Sequence, residues 1–345
     1  MDAPPEWTGM NEGNQGRHWI AILAALTAWI AVPSLAGEQP PSAPLTEPPA
    51  AERPPPGRID GWHDWLYDKV QGWALGLDRS FVRDDETPEP TPSSPFRISL
   101  DAETVHHPDG FEFKLQPDVD LLLQLPNLER RLKVFITSDE LTESPFLVND
   151  RERRVRAGGR LSLTDDLNFD VGVRVDLPPV AFTAVRWQRQ MSSGGWDIEP
   201  FAKVYLETKD GLGAAAGITF DRWMNRYLLR SSSYANWRKD EAETRWTQTL
   251  MFAHAREILR FGRYGNIVRG SDLVRAVGIQ ALASGETDDH VDTYELSVFA
   301  KMPTSRNWLY WHVTPLVRWE REYDWHADPG IRAGIDILFW DRSDR

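Results

Sequence analysis

Cysteine is absent from all 345 residues. Structural disulfides, thiolate metal sites, a cysteine nucleophile and an acylated lipoprotein N-terminus are therefore excluded. Beyond residue 36 there is also no run of about 20 consecutive apolar residues, the length a helix needs to cross a bilayer. Positive charge is scarce: 39 Lys and Arg stand against 52 Asp and Glu, a formal net charge of −13. Nucleic acid requires clustered cations, and no such cluster occurs, so it is not among the expected partners. The chain also lacks a GxSxG nucleophile elbow, an HExxH helix motif and a phosphate-cradling GxxxxGK(S/T) loop.

What is present first suggests an ordinary soluble protein, with 41% hydrophobic residues and a mean hydropathy of −0.48. A transmembrane barrel gives the same average, because lipid-facing apolar residues alternate with polar residues facing the lumen. The 16 Trp weigh on the side of the barrel. Indole is amphipathic and gathers at membrane-water interfaces, which favours an interfacial girdle.

The first 36 residues read as a secretory signal. Arg17 and His18 precede the apolar run Trp19 to Val32, and Pro33-Ser34-Leu35-Ala36 provides a small-residue exit with cleavage expected after Ala36. The acidic residues Asp2, Glu6 and Glu12 depart from a positive n-region, and initiation at Met10 would partly relieve this. Residues 37–58 are rich in Pro, Ala and Glu and read as an extended linker that cannot bury a core. A helix is expected over 59–82, where Trp62, Trp65, Leu66, Trp73, Leu77 and Phe81 recur at helical spacing. Its aromatic face has two readings: packing at the barrel mouth or membrane interface, or plugging the lumen. Residues 83–95 form a second linker, and 341–345 a short C-terminal extension.

From Phe96 the dominant period is two, in segments of about ten residues. Leu167, Phe169, Val171, Val173 and Val175 fall on one face, with Asn168, Asp170, Gly172, Arg174 and Asp176 on the other. Leu309, Trp311, Val313, Pro315, Val317 and Trp319 alternate in the same way with Tyr310, His312, Thr314, Leu316, Arg318 and Glu320. Such segments predict an all-β fold, a closed antiparallel transmembrane barrel of about 14 strands over residues 96–340, with 12 or 16 as alternatives. An even number returns both termini to one side, expected to be the periplasm. The longer loops, such as Asp139–Glu152, then lie outside, and the tight turns around PNLER, TDD, SSGG, RWMN and MPTSR lie inside. Ala255–Ser271 has no assigned place and would supply the extra hairpin of a sixteen-stranded wall.

The last expected strand carries Arg332, Gly334, Ile337 and Phe339, a polar-x-Gly-x-x-apolar-x-aromatic pattern. On that pattern, residues Phe96 to Trp340 resemble bacterial outer-membrane β-barrel proteins. The WTQTL, DTYEL and NWLYWHVTPLVRWERE segments resemble an uncharacterised proteobacterial group of them. The resemblance implies a barrel in the outer membrane, contact with its lipids and insertion by the barrel-assembly machinery, and it implies no activity. A periplasmic partner reached through residues 37–82 is left open.

No catalytic residue, metal or cofactor is expected. His254 near Ser271, and His326 beside Asp324 and Asp328, read as solvated turn residues rather than a rim hydrolase. A metal at His106, His107 and Asp109 meets the objection that adjacent strand residues point to opposite faces. The lumen is more informative. Parity turns inward Asp101, Glu103, Lys114, Asp118, Asp120, Asp170, Arg174, Glu199, Lys203, Glu207, Arg230, Glu295, Arg318, Glu320 and Asp336, together with Arg97, Glu112, Lys133, Lys301 and Arg332. Both signs occur along the wall. Two readings stay open: a narrow water-filled pore for ions or small polar solutes, or a structural barrel that anchors a periplasmic arm. A barrel-embedded lipid hydrolase ranks behind both.

Overall fold

A computed structural model of the chain describes residues 57–80, 94–124, 132–137, 155–239, 244–258, 273–287 and 290–340. The expected signal peptide, most of both linkers, Phe81, the Asp139–Glu152 loop, residues 259–272 and the extension 341–345 lie outside the described residues.

Among the described residues one helix, α1 (Arg58–Arg79), precedes the strands. Gly57 caps it, with its backbone N–H donating to Asp60 Oδ2 at 2.8 Å, and Asp60 in the first turn and Arg79 in the last suit the helix dipole. Among the described residues, no helix is long and apolar enough to cross a membrane.

The strands are β1 (Phe96–His107), β2 (Gly110–Gln124), β3 (Leu132–Thr137), β4 (Arg156–Ser162), β5 (Leu167–Arg174), β6 (Val180–Gln188), β7 (Met191–Ser193), β8 (Trp196–Glu207), β9 (Gly211–Met224), β10 (Tyr227–Arg238), β11 (Thr244–Ile258), β12 (Leu273–Glu286), β13 (His290–Pro303), β14 (Leu309–Glu320) and β15 (Ala327–Phe339). Each pairs antiparallel with its neighbour. β6 and the short β7 both pair with β8, so they occupy one place in the wall and the sheet has fourteen staves. Closure comes from β1 and β15, paired from Phe96↔Phe339 to Val105↔Gly330. A closed antiparallel barrel leaves no sheet edge unpaired, which is the condition for strands to sit in hydrocarbon. Tight turns use residues that tolerate positive φ, with Gly194 and Gly195 at 60° and 78° before β8, and Asn225 at 56° before β10.

Alternation divides the two faces. Phe111, Phe113, Leu115, Val171, Val204, Leu206, Ile279, Leu296 and Val298 point outward and are exposed. A soluble monomer rarely exposes so continuous an apolar surface, so this belt is built to face lipid. Aromatic residues bound it at both ends: Trp187, Tyr227 and Trp311 near the end where β1 starts and β15 finishes, here the terminal end, and Trp237, Tyr294 and Trp325 near the far end. The ten-residue step from Tyr227 to Trp237 along β10 spans about 34 Å of strand, or about 25 Å of height at the usual tilt, the height of a lipid-facing band.

α1 lies against the outside of this wall. Val70 and Ala74, with Leu66 and Tyr67, pack on Phe96, Leu121, Leu123 and Phe339, all outward residues at the terminal rim. Asp60 pairs with Arg306 in the β13–β14 turn at 2.8 Å, His63 Nε2 meets the Leu338 carbonyl at 3.0 Å, and Gln71 exchanges hydrogen bonds with the Ser94 backbone at 2.8 and 3.1 Å. The helix therefore runs around the rim across β14, β15, β1 and β2, leaving Trp62, Trp65 and Trp73 exposed. The lumen-plug reading of this helix is corrected: its apolar residues pack on the outward aromatic rim.

Candidate functional site

The inward face is the candidate site, and charge organises it. In the sector from β13 to β2, Arg332 and Arg318 both donate to Glu103, at 2.5 and 3.0 Å, and Arg318 also reaches Glu295 at 2.8 Å. Lower on the same wall, Lys301 meets Asp336 at 2.5 Å, Ser99 donates to the same carboxylate, and Arg97 pairs with Asp118 at 2.7 Å. His312 on β14 contacts Asp101 on β1 at 2.6 Å, although β15 stands between those strands. Gly334 makes this possible: a Cβ there would lie 2.2 Å from Asp101 Oδ1 and 2.6 Å from the His312 ring. The glycine of the expected insertion pattern thus has a local steric role.

A second sector spans β4 to β8. Arg156 donates to Glu207 at 3.1 Å, and Arg174 is bound to Glu207, to Asp176 at 3.0 Å and to Asp210 at 2.7 Å. Arg160 pairs in bidentate fashion with Asp170 at 2.7 and 2.8 Å, and Glu199 accepts from Gln188 and Gln190. Lys203 lies 5.2 Å from the centre of the Tyr205 ring. In the third sector Arg230 and Asp221, both wholly buried, form a bidentate pair at 2.6 and 2.7 Å. Charges of this kind require partners when they leave water, and here the partners come mostly from strands one to three places along the wall.

Most of the charges expected inward from parity take part in these contacts. Asp101, Glu103, Asp118, Asp170, Arg174, Glu199, Glu207, Arg230, Glu295, Arg318 and Asp336 are held in the contacts above, Lys114 pairs with Glu112 at 3.2 Å, and Glu320 stands 3.7 Å from His107. Asp120 sits opposite Arg97 in the β1–β2 register. The sequence reading missed Arg156, Arg160, Arg186 and Asp221. Asp221 was legible, since the alternation through Gly213, Ala215, Gly217 and Thr219 ends on it. The terminal end of the lumen beside β9 to β13 is apolar instead, with Leu228, Met251, Leu273 and Phe299 buried together and Trp223 packed against them.

Of the insertion-pattern residues, Arg332 and Gly334 face inward, and Ile337 and Phe339 face outward. Phe339, although on the outward face, does not meet lipid. It is fully buried, stacked on Phe96 at 4.1 Å and on His63 at 4.6 Å, because α1 covers it. His254 faces outward against Tyr227, and Ser271 lies outside the described residues. His106 stacks on Phe111, and His107 points inward.

No family model matches the chain, and no curated protein matches it. Among solved structures it is similar to the Pseudomonas aeruginosa protein OccK2 (OpdF), with a TM-score of 0.41 and 8% identity over 73% of this chain and 99% of that one. It is also similar to OprD from Pseudomonas aeruginosa, at a TM-score of 0.37 and 8% identity over 72% and 94% of the two chains. A third is a loop-deletion mutant of OmpT, an outer membrane protein of Vibrio cholerae, at 0.39 and 6% identity over 72% and 100%.

Proposed function

We propose that the chain is a narrow pore of the outer membrane for ions or small polar solutes, with both termini in the periplasm. The observation that carries this reading is the opposition of the two faces: an apolar, aromatic-edged exterior and an interior lined with Arg, Lys, Asp and Glu. An interior meant only to be filled is served as well by apolar side chains, whereas opposed fixed charges create a transverse field for polar solutes. The wall meets outer-membrane lipids, and β15, with Arg332, Gly334, Ile337 and Phe339, is the segment offered to the barrel-assembly machinery. No catalysis and no cofactor enter this reading. Planar-bilayer recording of the mature full chain tests it. Discrete conductance steps are expected, and Arg174→Glu or Lys203→Glu is expected to move the reversal potential toward cations. A wild-type protein that inserts and never conducts would overturn the pore.

A second reading has its own support in the apolar cluster of Leu228, Met251 and Phe299 at the terminal end of the lumen. There the barrel is a sealed scaffold that presents residues 37–82 to a periplasmic partner, with Trp65 and Trp73 exposed on α1. Zero conductance together with a partner crosslinked through α1 would select it.

A further inference from the structure

At the far rim, opposite the end that α1 covers, four strand ends bring a histidine and three carboxylates together. His107 ends β1, Glu320 ends β14, Asp328 opens β15 and Glu112 lies near the start of β2. Asp328 Oδ2 lies 2.8 Å and Glu320 Oε2 3.7 Å from the same imidazole nitrogen, His107 Nδ1. One atom each from His107, Glu320 and Asp328 lie within 4.8 Å of one another. Ligands of a tetrahedral ion bound at 2.0–2.1 Å stand about 3.3 Å apart, so the two nitrogen-to-oxygen distances bracket that spacing. Glu320 is half-buried at the rim, and a small rotation of its side chain closes the remaining gap.

We propose that His107, Asp328 and Glu320 form a binding site for a divalent d-block cation of the zinc type, with a fourth position open to water. The outer partners of the three donors argue for a ligand set rather than an incidental ion pair. His107 Nε2, the nitrogen turned away from the ion, faces Glu112 Oε2 at 3.5 Å, the carboxylate that a metal-bound imidazole uses to fix its tautomer. The second oxygen of Asp328 is held by His326 Nδ1 at 2.9 Å, as ligating carboxylates are usually held. Tyr323 stacks on the His107 ring at 4.3 Å, and the ring is only 3% exposed, so its orientation is set. One neutral imidazole and two carboxylates balance a dication, and the nitrogen ligand favours zinc or cobalt over calcium or magnesium. On binding, the metal takes the place of the hydrogen that joins Nδ1 to Asp328; from a neutral ring that proton moves to Nε2 beside Glu112, and from an imidazolium it goes to solvent. The site does not depend on whether the lumen conducts.

Cobalt(II) alone, titrated into untagged full-length protein in detergent micelles, tests the proposal through its visible absorption, and zinc is then used to displace it. One saturable equivalent with a tetrahedral band is expected. His107→Ala should abolish the band, Glu112→Gln should weaken binding by roughly 10- to 100-fold, and His106→Ala, one residue away and pointing outward, should leave it unchanged. Absence of a saturable equivalent in the wild type, or survival of the band in His107→Ala, overturns the site. If His107→Ala loses the heat-modifiable folded form, Glu320→Gln serves instead. It removes a ligand charge from a half-exposed rim side chain, and unchanged affinity there would equally sink the proposal.

Discussion

On the outward side of the β15–β1 seam, Phe339 is held between Phe96 and His63 beneath α1, whereas on the inward side of the same strand pair Glu103 holds Arg332 and Arg318. Both groups are buried, and they are buried by different means. The aromatic stack is sealed by an added element, the helix, which removes apolar surface from its surroundings. The ionic group is sealed by its neighbours, since Glu295 supplies Arg318 with a second carboxylate at 2.8 Å. Alternation along two strands thus places an apolar closure and an electrostatic closure back to back, and the two should fail differently.

Phe339→Asp should show the largest effect. It removes ring packing and puts a carboxylate among Phe96, His63 and Trp62, together a loss of roughly 6 kcal/mol or more. The heat-modifiable, membrane-inserted form should vanish, and wild-type levels of that form would show that the helix-covered stack contributes little to closure. Glu103→Gln breaks the inward side with a neutral isostere. Arg318 keeps Glu295, so the loss should lie near the low end for a broken buried pair, about 3 kcal/mol. Denaturant unfolding of the inserted barrel measures it, and a change below about 0.5 kcal/mol would mean that water already screens the inward network.

The unequal legibility of the two sides has a physical cause. Period-two alternation placed Glu103, Arg318, Arg332 and Asp336 on the inward face, and it located fourteen strands, because a residue's face in a strand follows from parity alone. Who pairs with whom does not follow from parity. Glu103 reaching β14 across β15, or His312 reaching Asp101 over Gly334, depends on register and on the absence of a side chain between them. The helix shows the same limit from the other direction. Its spacing declared an aromatic face, but whether Trp62 and His63 would meet the lumen or the outer rim depended on partners more than 270 positions away, among them the Leu338 carbonyl. The far-rim cluster was half visible: His107 with Asp109, and His326 with Asp328, each stood out separately, and only closure of β15 on β1 joins His107 to Asp328.

The smallest effect belongs to the edge of the outward closure, where Asp60 ties the first turn of α1 to Arg306. The guanidinium donates at 2.8 and 3.2 Å and the Gly57 N–H donates at 2.8 Å, and these bonds hold the Asp60 carboxyl down to about 2. A depressed carboxylate stabilises the docked state fully above its ordinary value near 3.8 and loses that contribution as the pH falls toward 2. Docking of α1 should therefore be indifferent to pH between 7 and 5 and should loosen between about 4 and 2. Surface ion pairs are weak, and Val70 and Ala74 remain seated on Phe96 and Phe339 whatever the state of Asp60, so the helix should fray at its start rather than detach. Asp60→Asn removes the charge at every pH and should abolish the step. Pepsin, which is active across this range, reads the difference as the ratio of wild-type to Asp60→Asn cleavage within 58–79. That ratio should start below one at pH 5 and rise toward one as the pH approaches 2. A flat ratio would show that the aromatic stack alone holds the helix to the rim.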